Sequence, residues 1–358
     1  MIHRTRRLHR LAAPILLSAL AAAACGGGGS DDASADTIPP TTVEAVEPAP
    51  TTTVEVTTTV AEAPTYPLTG LPATATEVDH PALVVKIDNH EMAQPQWGLN
   101  QADIVYEEIV EGRITRLAAV FHSEDADPVG PIRSARTSDF DILSNLGTPL
   151  FANSGGNSSV MSMLQSVDMA NANQSAFPEL YYREDSRRRP HNLLSNTSEL
   201  IAAAPEEAGT PPAQFVFRGS DDDLADDARV VSGVDVDYGG IQASYRWDAD
   251  TDGWSRSQHD EPHVDVDGVQ IAPENLIVQF IDYGRSPADP RSPEAQLLGE
   301  GEAWIFTDGH LVEGLWSRAE PTDVTRFTTP DGAEIALTPG RTWVALPRTG
   351  GDMATVVE

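Results

Sequence analysis

Ala82-Leu-Val-Val-Lys-Ile-Asp-Asn-His90 is the stretch from which the fold is read. An apolar run that ends in Asp88-Asn89-His90 reads as a buried strand running into a turn. Working outward, residues 103–111 and 113–122 flank Gly112 and read as a hairpin. Residues 137–146 are predicted helical, with Phe140, Ile142, Leu143 and Leu146 on the apolar side, and 160–167 form a second helix candidate. A Pro, Glu and Ala-rich stretch at 203–213 marks a boundary. Beyond it, 230–236, 241–247, 254–257, 276–283, 303–306, 311–316, 326–328 and 342–346 read as strands. Asp252-Gly253, Asp308-Gly309 and Asp331-Gly332 supply hairpin turns. The pattern predicts an α+β chain: a layered α/β N-terminal domain over 66–210, then a mostly antiparallel β domain over 211–358. No internal repeat of solenoid period is visible.

The chain opens with a leader. Residues 1–10 hold four arginines and no acid, 11–24 are almost wholly apolar, and Ala22-Ala23-Ala24 directly precede Cys25. A basic start, a short apolar run and small residues at a cleavage point describe a secretory signal over 1–24. That run is too short to cross a bilayer as a helix. Cys25, the only cysteine, stands where a bacterial lipoprotein is lipidated; the alternative is ordinary cleavage that leaves a free thiol. Such signals more often carry Leu where Ala22 stands, and Arg6-Arg7 is a weak twin-arginine signal. Residues 25–65 are rich in Thr, Pro, Ala and Glu and contain no aromatic residue. They cannot bury enough apolar surface to offset the entropy of ordering. A disordered tether is expected, spanning roughly 35 Å as a flexible coil, with the Thr/Pro content of an O-glycosylated stalk. The expected location is the extracytoplasmic face of the cell membrane, with the lipid as the membrane partner.

Composition narrows the partners. The chain has 23 basic and 55 acidic residues, a net charge of −32. Losing the leader and its four arginines would make it −36. Through general electrostatics such a surface repels nucleic acid and anionic lipid alike, so no nucleic-acid partner is expected. With no cysteine in the folded part, stability must come from packing.

Several motifs, taken in order, resemble the YerB-like bacterial lipoproteins. They are Pro67-Leu-Thr-Gly-Leu-Pro72, Val85-Lys-Ile-Asp-Asn-His90, Ala102-Asp-Ile-Val-Tyr-Glu107, Glu111-Gly-Arg-Ile-Thr-Arg116 and Gly130-Pro-Ile-Arg-Ser-Ala-Arg136. Arg189-Pro-His-Asn192, Asn275-Leu-Ile-Val-Gln279 and Gly340-Arg-Thr-Trp343 continue the series to about Leu346. The resemblance implies two domains of unknown function, an α+β layered part followed by a β-rich part, anchored on a cell surface. It brings no reaction or ligand. Arg113 departs from the pattern, because relatives usually place a second glycine in that turn.

The residues themselves carry chemistry. In so acidic a chain, Lys86, Arg113, Arg116, Arg133, Arg136, Arg183 and Arg187 to Arg189 form a basic stretch. Lys86 is the only lysine among 22 arginines, a lone compact charge. Arg133 and Arg136 flank Ser134 just ahead of the helix at 137–146. Two guanidinium forks at a helix start form an anion site for phosphate, carboxylate or a sugar acid. The alternative is that these arginines pair internally with Asp88, Asp103, Glu107 or Glu111. Asp88, Asn89 and His90 end a buried strand, a usual place for functional groups. His191 and Asn192 lie in a Pro-fixed loop, where His191 has the chemistry of a general base. The candidate ligand-binding set is therefore Lys86, Asp88, Asn89, Arg116, Arg133, Ser134, Arg136, His191 and Asn192, beside lipidation at Cys25.

Nucleophile motifs are missing: Asn153-Ser-Gly-Gly156 does not form a G-x-S-x-G elbow. Phosphate-loop and dinucleotide fingerprints are absent as well, and no cofactor is expected. Asp248-x-Asp250-x-Asp252-Gly253 copies half of a calcium loop but reads better as a hairpin turn. His259 and His263 are separated by Pro262, which keeps them off one helix face, so no metal is expected. Two classes remain. One is a binding module for a cell-wall polymer or a wall-synthesis protein. The other is an envelope hydrolase or transferase using Asp88, His191 and Glu107 or Glu111 as acid and base.

Overall fold

The structure is a computed structural model that describes residues 63–219, 222–225 and 227–358. The leader, Cys25 and all but the last three residues of the expected tether lie outside the described residues. No described helix is long and apolar enough to cross a membrane.

The opening apolar run forms β1 (Leu83–Asp88), every residue of which is buried. The hairpin follows as β2 (Ile104–Ile109) and β3 (Thr115–Phe121), paired antiparallel from Ile104↔Val120 to Ile109↔Thr115. Its turn contains Gly112 at φ 78 and Arg113 at φ 62. Arg113 holds this left-handed backbone with a guanidinium that donates to Gly239 O, 2.8 Å from Nε. The two expected helices appear as α1 (Ser138–Ser144) and α2 (Ser158–Leu164). Between and after them lie β4 (Leu150–Ala152) and β5 (Ala170–Asn171).

The second half supplies β6 (Gly233–Asp237), β7 (Gln242–Asp248), β8 (Gly253–Gln258) and β9 (Glu261–Pro262). Then come β10 (Asn275–Gln279), β11 (Gly299–Thr307), β12 (His310–Arg318), β13 (Arg326–Thr328), β14 (Thr342–Ala345) and β15 (Ala354–Val357). Asp248 to Gly253 is the turn of the β7–β8 hairpin. β15, β6, β7, β8 and β9 build a five-stranded antiparallel sheet.

The main sheet has eleven strands and runs through both halves in the order β13-β12-β11-β10-β14-β2-β3-β1-β4-β5, with residues 229–230 added beside β12. One of its strands departs from the antiparallel pattern expected of the second half. β14 runs parallel to both its neighbours, β10 and β2. Backbone ladders from the two halves meet through it.

Because side chains alternate along a strand, the main sheet carries two cores. Val84, Ala118 and Val120 pack on one face with Ile142, Leu143, Val160 and Leu164 of the helices. Val85, Ile87, Leu117 and Ala119 pack on the other with Val234, Tyr245 and Trp254 of the five-stranded sheet. The molecule is thus sheet-rich, with few and short helices.

Each face also buries ions. On the helix side, the Lys86 ammonium is wholly buried between Glu108 and Asp139, 2.5 Å from Asp139 Oδ1. On the other, Glu107 receives Arg256 Nη2 at 3.0 Å on both oxygens, Tyr238 OH at 3.1 Å and Trp343 Nε1 at 3.2 Å. Neighbouring acids, Glu107 and Glu108, therefore serve opposite sides of the sheet. Breaking either pair would leave a buried charge without a partner.

Candidate functional site

The candidate site stands where β1 and β4 end. The two strands run parallel from Leu83↔Leu150 to Val85↔Ala152 and then part. Residues 131–135 fill the gap. Asp88 N–H donates to Pro131 O at 2.9 Å, and Arg133 N–H to Lys86 O at 2.8 Å. On the far side Ser154 N–H donates to Arg133 O at 2.9 Å, and Ala135 N–H to Gly155 O at 2.8 Å. Arg133 and Ser134 are fixed on both flanks by backbone bonds and delivered beside Asp88.

Asp88 is 1% exposed and is the anionic centre. Its Oδ2 lies 2.7 Å from His191 Nδ1 and 3.3 Å from Arg133 Nε. Its Oδ1 accepts His90 N–H at 3.2 Å, and the His90 ring lies 4.7 Å from that of His191. A carboxylate at Nδ1 fixes the tautomer with the proton on that nitrogen and turns Nε2 away from Asp88. Arg116 pairs across the ladder with Asp88 and donates from Nη1 to Ser134 O at 2.8 Å. Arg136 Nη1 reaches the same carbonyl at 3.5 Å. Burial, with the charges of Arg136 and Arg133, pulls the Arg116 guanidinium down to about 10. Arg136 is gripped by Glu111 through Nε and Nη2 at 2.9–3.0 Å. Burial raises the Glu111 carboxyl, but Arg136 and Ser292 together outweigh it, so the net direction is downward.

Two guanidiniums thus share Ser134 O and a third, Arg133, stands at Asp88, against the two carboxylates Asp88 and Glu111. Arg133 is the least committed: its Nε is in ion-pair range of Asp88 but not aligned for a hydrogen bond. Among the described residues no other acceptor holds its guanidinium. Ser134 Oγ lies 3.4 Å from Ser154 Oγ. The structure therefore brings together Asp88, Arg116, Arg133, Ser134, Arg136 and His191.

The other three candidates stand apart. Lys86 is committed to Glu108 and Asp139. Asn89 turns to the opposite face, donating to Thr115 Oγ1 at 2.7 Å, Gln258 Oε1 at 3.0 Å and Glu107 Oε1 at 3.2 Å. Asn192 ties its own loop, donating to Glu184 O and Arg187 O at 2.9 Å and accepting from Arg183 at 2.8 Å. At the helix start the Arg136 N–H is not open to an anion, because Asp139 Oδ2 already accepts it at 2.7 Å. Arg187 is also structural, donating to Ala93 O and Pro95 O and lying over the Trp97 ring at 4.0 Å.

Sequence reasoning placed His90 at the strand end but left it out of the candidate set, and it did not find Ser154 or the Arg256 partner of Glu107. His90 follows directly from its place after Asp88, and the other two carry no local signal. His263 is buried, with Nε2 2.8 Å from Gln96 Oε1. Among the described residues no group of three or more His, Cys, Asp or Glu is arranged to hold a metal. A cavity of about 930 Å³ lined by Phe215, Arg318, Phe327 and Ile335 includes none of the candidate residues.

This cluster of a carboxylate, a histidine and three arginines at the end of β1 occurs in a two-part family without an established activity. Residues 68–210 match the DUF3048 N-terminal domain and 234–344 its C-terminal domain, both described as protein of unknown function. The chain belongs to this family. It is 31% identical over 288 residues to the Bacillus subtilis protein named "Putative lipoprotein YerB", covering 78% of this chain and 84% of that one. The crystal structure of the YerB protein from Bacillus subtilis superposes with a TM-score of 0.73 at 25% identity, over 82% of this chain and 100% of that one.

Proposed function

We propose that this protein is a cell-envelope lipoprotein, held on the outer face of the membrane by lipid on Cys25, that binds an anionic group of a wall polymer or wall-synthesis partner. The leader and tether read from the sequence, and the name of the Bacillus relative, support the anchor. One observation carries the binding site. Arg116 and Arg136 share the Ser134 carbonyl in a chain of net charge −32, and the neighbouring Arg133 has only Asp88 beside it. Held cations with an unfilled fork suit a phosphate or carboxylate, which accepts two parallel N–H bonds.

The test is co-sedimentation of residues 26–358, which retain every described residue, with purified cell-wall sacculi. Wild-type protein is expected in the pellet and folded Arg133→Ala in the supernatant. Equal pelleting of the two removes the site from the interaction. Mass spectrometry of Cys25 in the membrane fraction tests the anchor, and an unmodified thiol there overturns it.

A second reading rests on the Asp88–His191 pair, a carboxylate-oriented imidazole suited to proton transfer. Turnover of wall material that His191→Gln abolishes while binding persists would make the protein an envelope hydrolase or transferase.

A further inference from the structure

The Arg136–Glu111 ion pair has a second side. Beyond it lies a cleft of about 450 Å³ built by residues 109–113 of the β2–β3 turn, 238–239, 283–285, 290–293 and Arg348. Four arginines line it: Arg113, Arg285, Arg291 and Arg348. Glu111, the one acid in its wall, is already committed to Arg136 at 2.9 Å. Arg291 is paired with Asp289 at 2.8 Å. Arg113 donates to the Gly239 carbonyl, and Arg348 lies over the Tyr283 ring at 4.7 Å. Among the described residues neither Arg285 nor Arg348 has a carboxylate in ion-pair range. The floor is rigid, since Tyr283 OH donates to Leu346 O at 2.8 Å and accepts Ile109 N–H at 3.0 Å.

A chain with 55 acidic residues gains nothing in stability or solubility from a pocket of mutually repelling cations. An arginine stacked on an aromatic ring presents its donor edge to solvent, the geometry that receives a phosphate or carboxylate. Glu111, in the wall of the cleft, holds Arg136 of the Asp88 site at 2.9 Å, so anions bound at the two places would be neighbours. A ligand with a single charge fills one side only. A linear chain with charge on successive units fills both.

We propose that this cleft is a second subsite and that the ligand is a linear polyanion, with repeating phosphate or carboxylate groups, lying across the Arg136–Glu111 pair. The proposal rests on the anion-binding reading of the Asp88 site. It adds a role for Arg113, Arg285 and Arg348, and a requirement for ligand length.

Isothermal titration calorimetry of residues 26–358 with tripolyphosphate and with long-chain polyphosphate tests it. The variants are Arg133→Ala on the first subsite and Arg285→Ala/Arg348→Ala on the second, both side chains of the latter being exposed. Long-chain polyphosphate is expected to bind more tightly than tripolyphosphate. The double variant should weaken the long chain about tenfold, as loss of two charge-assisted contacts implies, and leave tripolyphosphate unchanged. Arg285→Lys/Arg348→Lys, which keeps the charge, should recover part of that loss. A double variant that binds the long chain as wild type does overturns the second subsite and leaves the first standing. Tripolyphosphate binding that Arg133→Ala does not weaken overturns the first. Vesicles of phosphatidylglycerol are the competing surface. Vesicle binding that exceeds polyphosphate binding and disappears in the double variant assigns the cleft to lipid and overturns the polymer.

Discussion

Asp88 and His191 are 103 residues apart in the chain and 2.7 Å apart in the structure, joined from Oδ2 to Nδ1. The contact brings the loop that follows Pro190 onto the end of β1. It also gives Asp88 two opposed effects on the site: it orients an imidazole and it neutralises part of the arginine cluster.

Asp88→Asn separates those effects. If the site holds anions, removing a negative charge beside Arg133 should raise affinity for tripolyphosphate severalfold, because less of the cation is already satisfied. If Asp88 orients His191 for proton transfer, anion affinity changes little and any turnover falls. Calorimetry on the folded variant reads the first effect, and affinity that drops rules against it.

Lys86→Met should be strongly destabilising, by about 3–5 kcal/mol at neutral pH, because Glu108 and Asp139 then face each other without their cation. Burial already pushes the Glu108 carboxyl up, and Lys86 and its hydrogen bond oppose that push. Without Lys86 the carboxyl rises further, so the folded state takes up a proton that the unfolded chain refuses until lower pH. The deficit should therefore shrink as pH falls from about 7 toward the ordinary carboxylate range near 4.3. Urea denaturation at several pH values measures it, and a deficit that grows on acidification contradicts the pairing.

Arg256→Leu probes the other face. Glu107 would keep its neutral donors and lose its ion-pair partner, at an expected cost of about 3–5 kcal/mol. The companion change Glu107→Gln/Arg256→Leu removes both charges and should recover much of that loss. A double variant no more stable than Arg256→Leu would show that the cost lies in packing against Tyr245 and Trp343.

Two buried histidines set an acid limit. His122 is held down to about 4 by burial and by His80, and His263 lies well below its ordinary value through burial and Arg256. Below about 6.5 the unfolded chain protonates at both positions while the folded chain does not. Stability is complete above that pH and is lost as it falls toward about 4. Asp103, pushed up to about 6 by burial, works in the opposite direction, since its folded carboxyl protonates first. Asp103→Asn should therefore steepen the acid loss. Calorimetric melting of both proteins between about pH 7 and 4.5 reads the slopes, and a shallower variant slope refutes the assignment.

Gly240→Ala tests how the β2–β3 turn is seated. A Cβ there would lie 1.9 Å from Arg113 O and 2.6 Å from Arg113 Cβ, so the turn must move or the backbone must strain. A loss of about 1–3 kcal/mol is expected, with faster amide exchange at residues 111–113. Unchanged exchange there would mean that segment 238–240 yields instead.

The sequence discloses what is local. β1 is legible because its apolar run ends in Asp88-Asn89-His90, and the β2–β3 hairpin because Gly112 sits between two apolar runs. Arg133, Ser134 and Arg136 fall together because three backbone bonds place residues that are already neighbours. What stays hidden is long-range pairing. Nothing around Thr342 says that it lies parallel to Ile104, and nothing in Trp254-Ser-Arg256 names Glu107 as its partner. Glu107 and Glu108 look alike in the sequence, and only the alternation of a strand buried on both faces sends them to different cations. Lys86 is conspicuous as the single lysine, yet its burial between two acids depends on Asp139, 53 residues away.

β14 gives the fold a timetable. A polypeptide grows from its N-terminus, so β2 has β3 on one side and a bare ladder of N–H and C=O groups on the other until residue 345 has left the ribosome. β10 waits with the same open edge for the same four residues. Exposed edges of this kind pair with whatever strand is near. A product truncated before Thr342 would keep nearly every apolar residue and still present two adhesive borders. Loss of about the last seventeen residues should therefore produce aggregation rather than a smaller soluble protein.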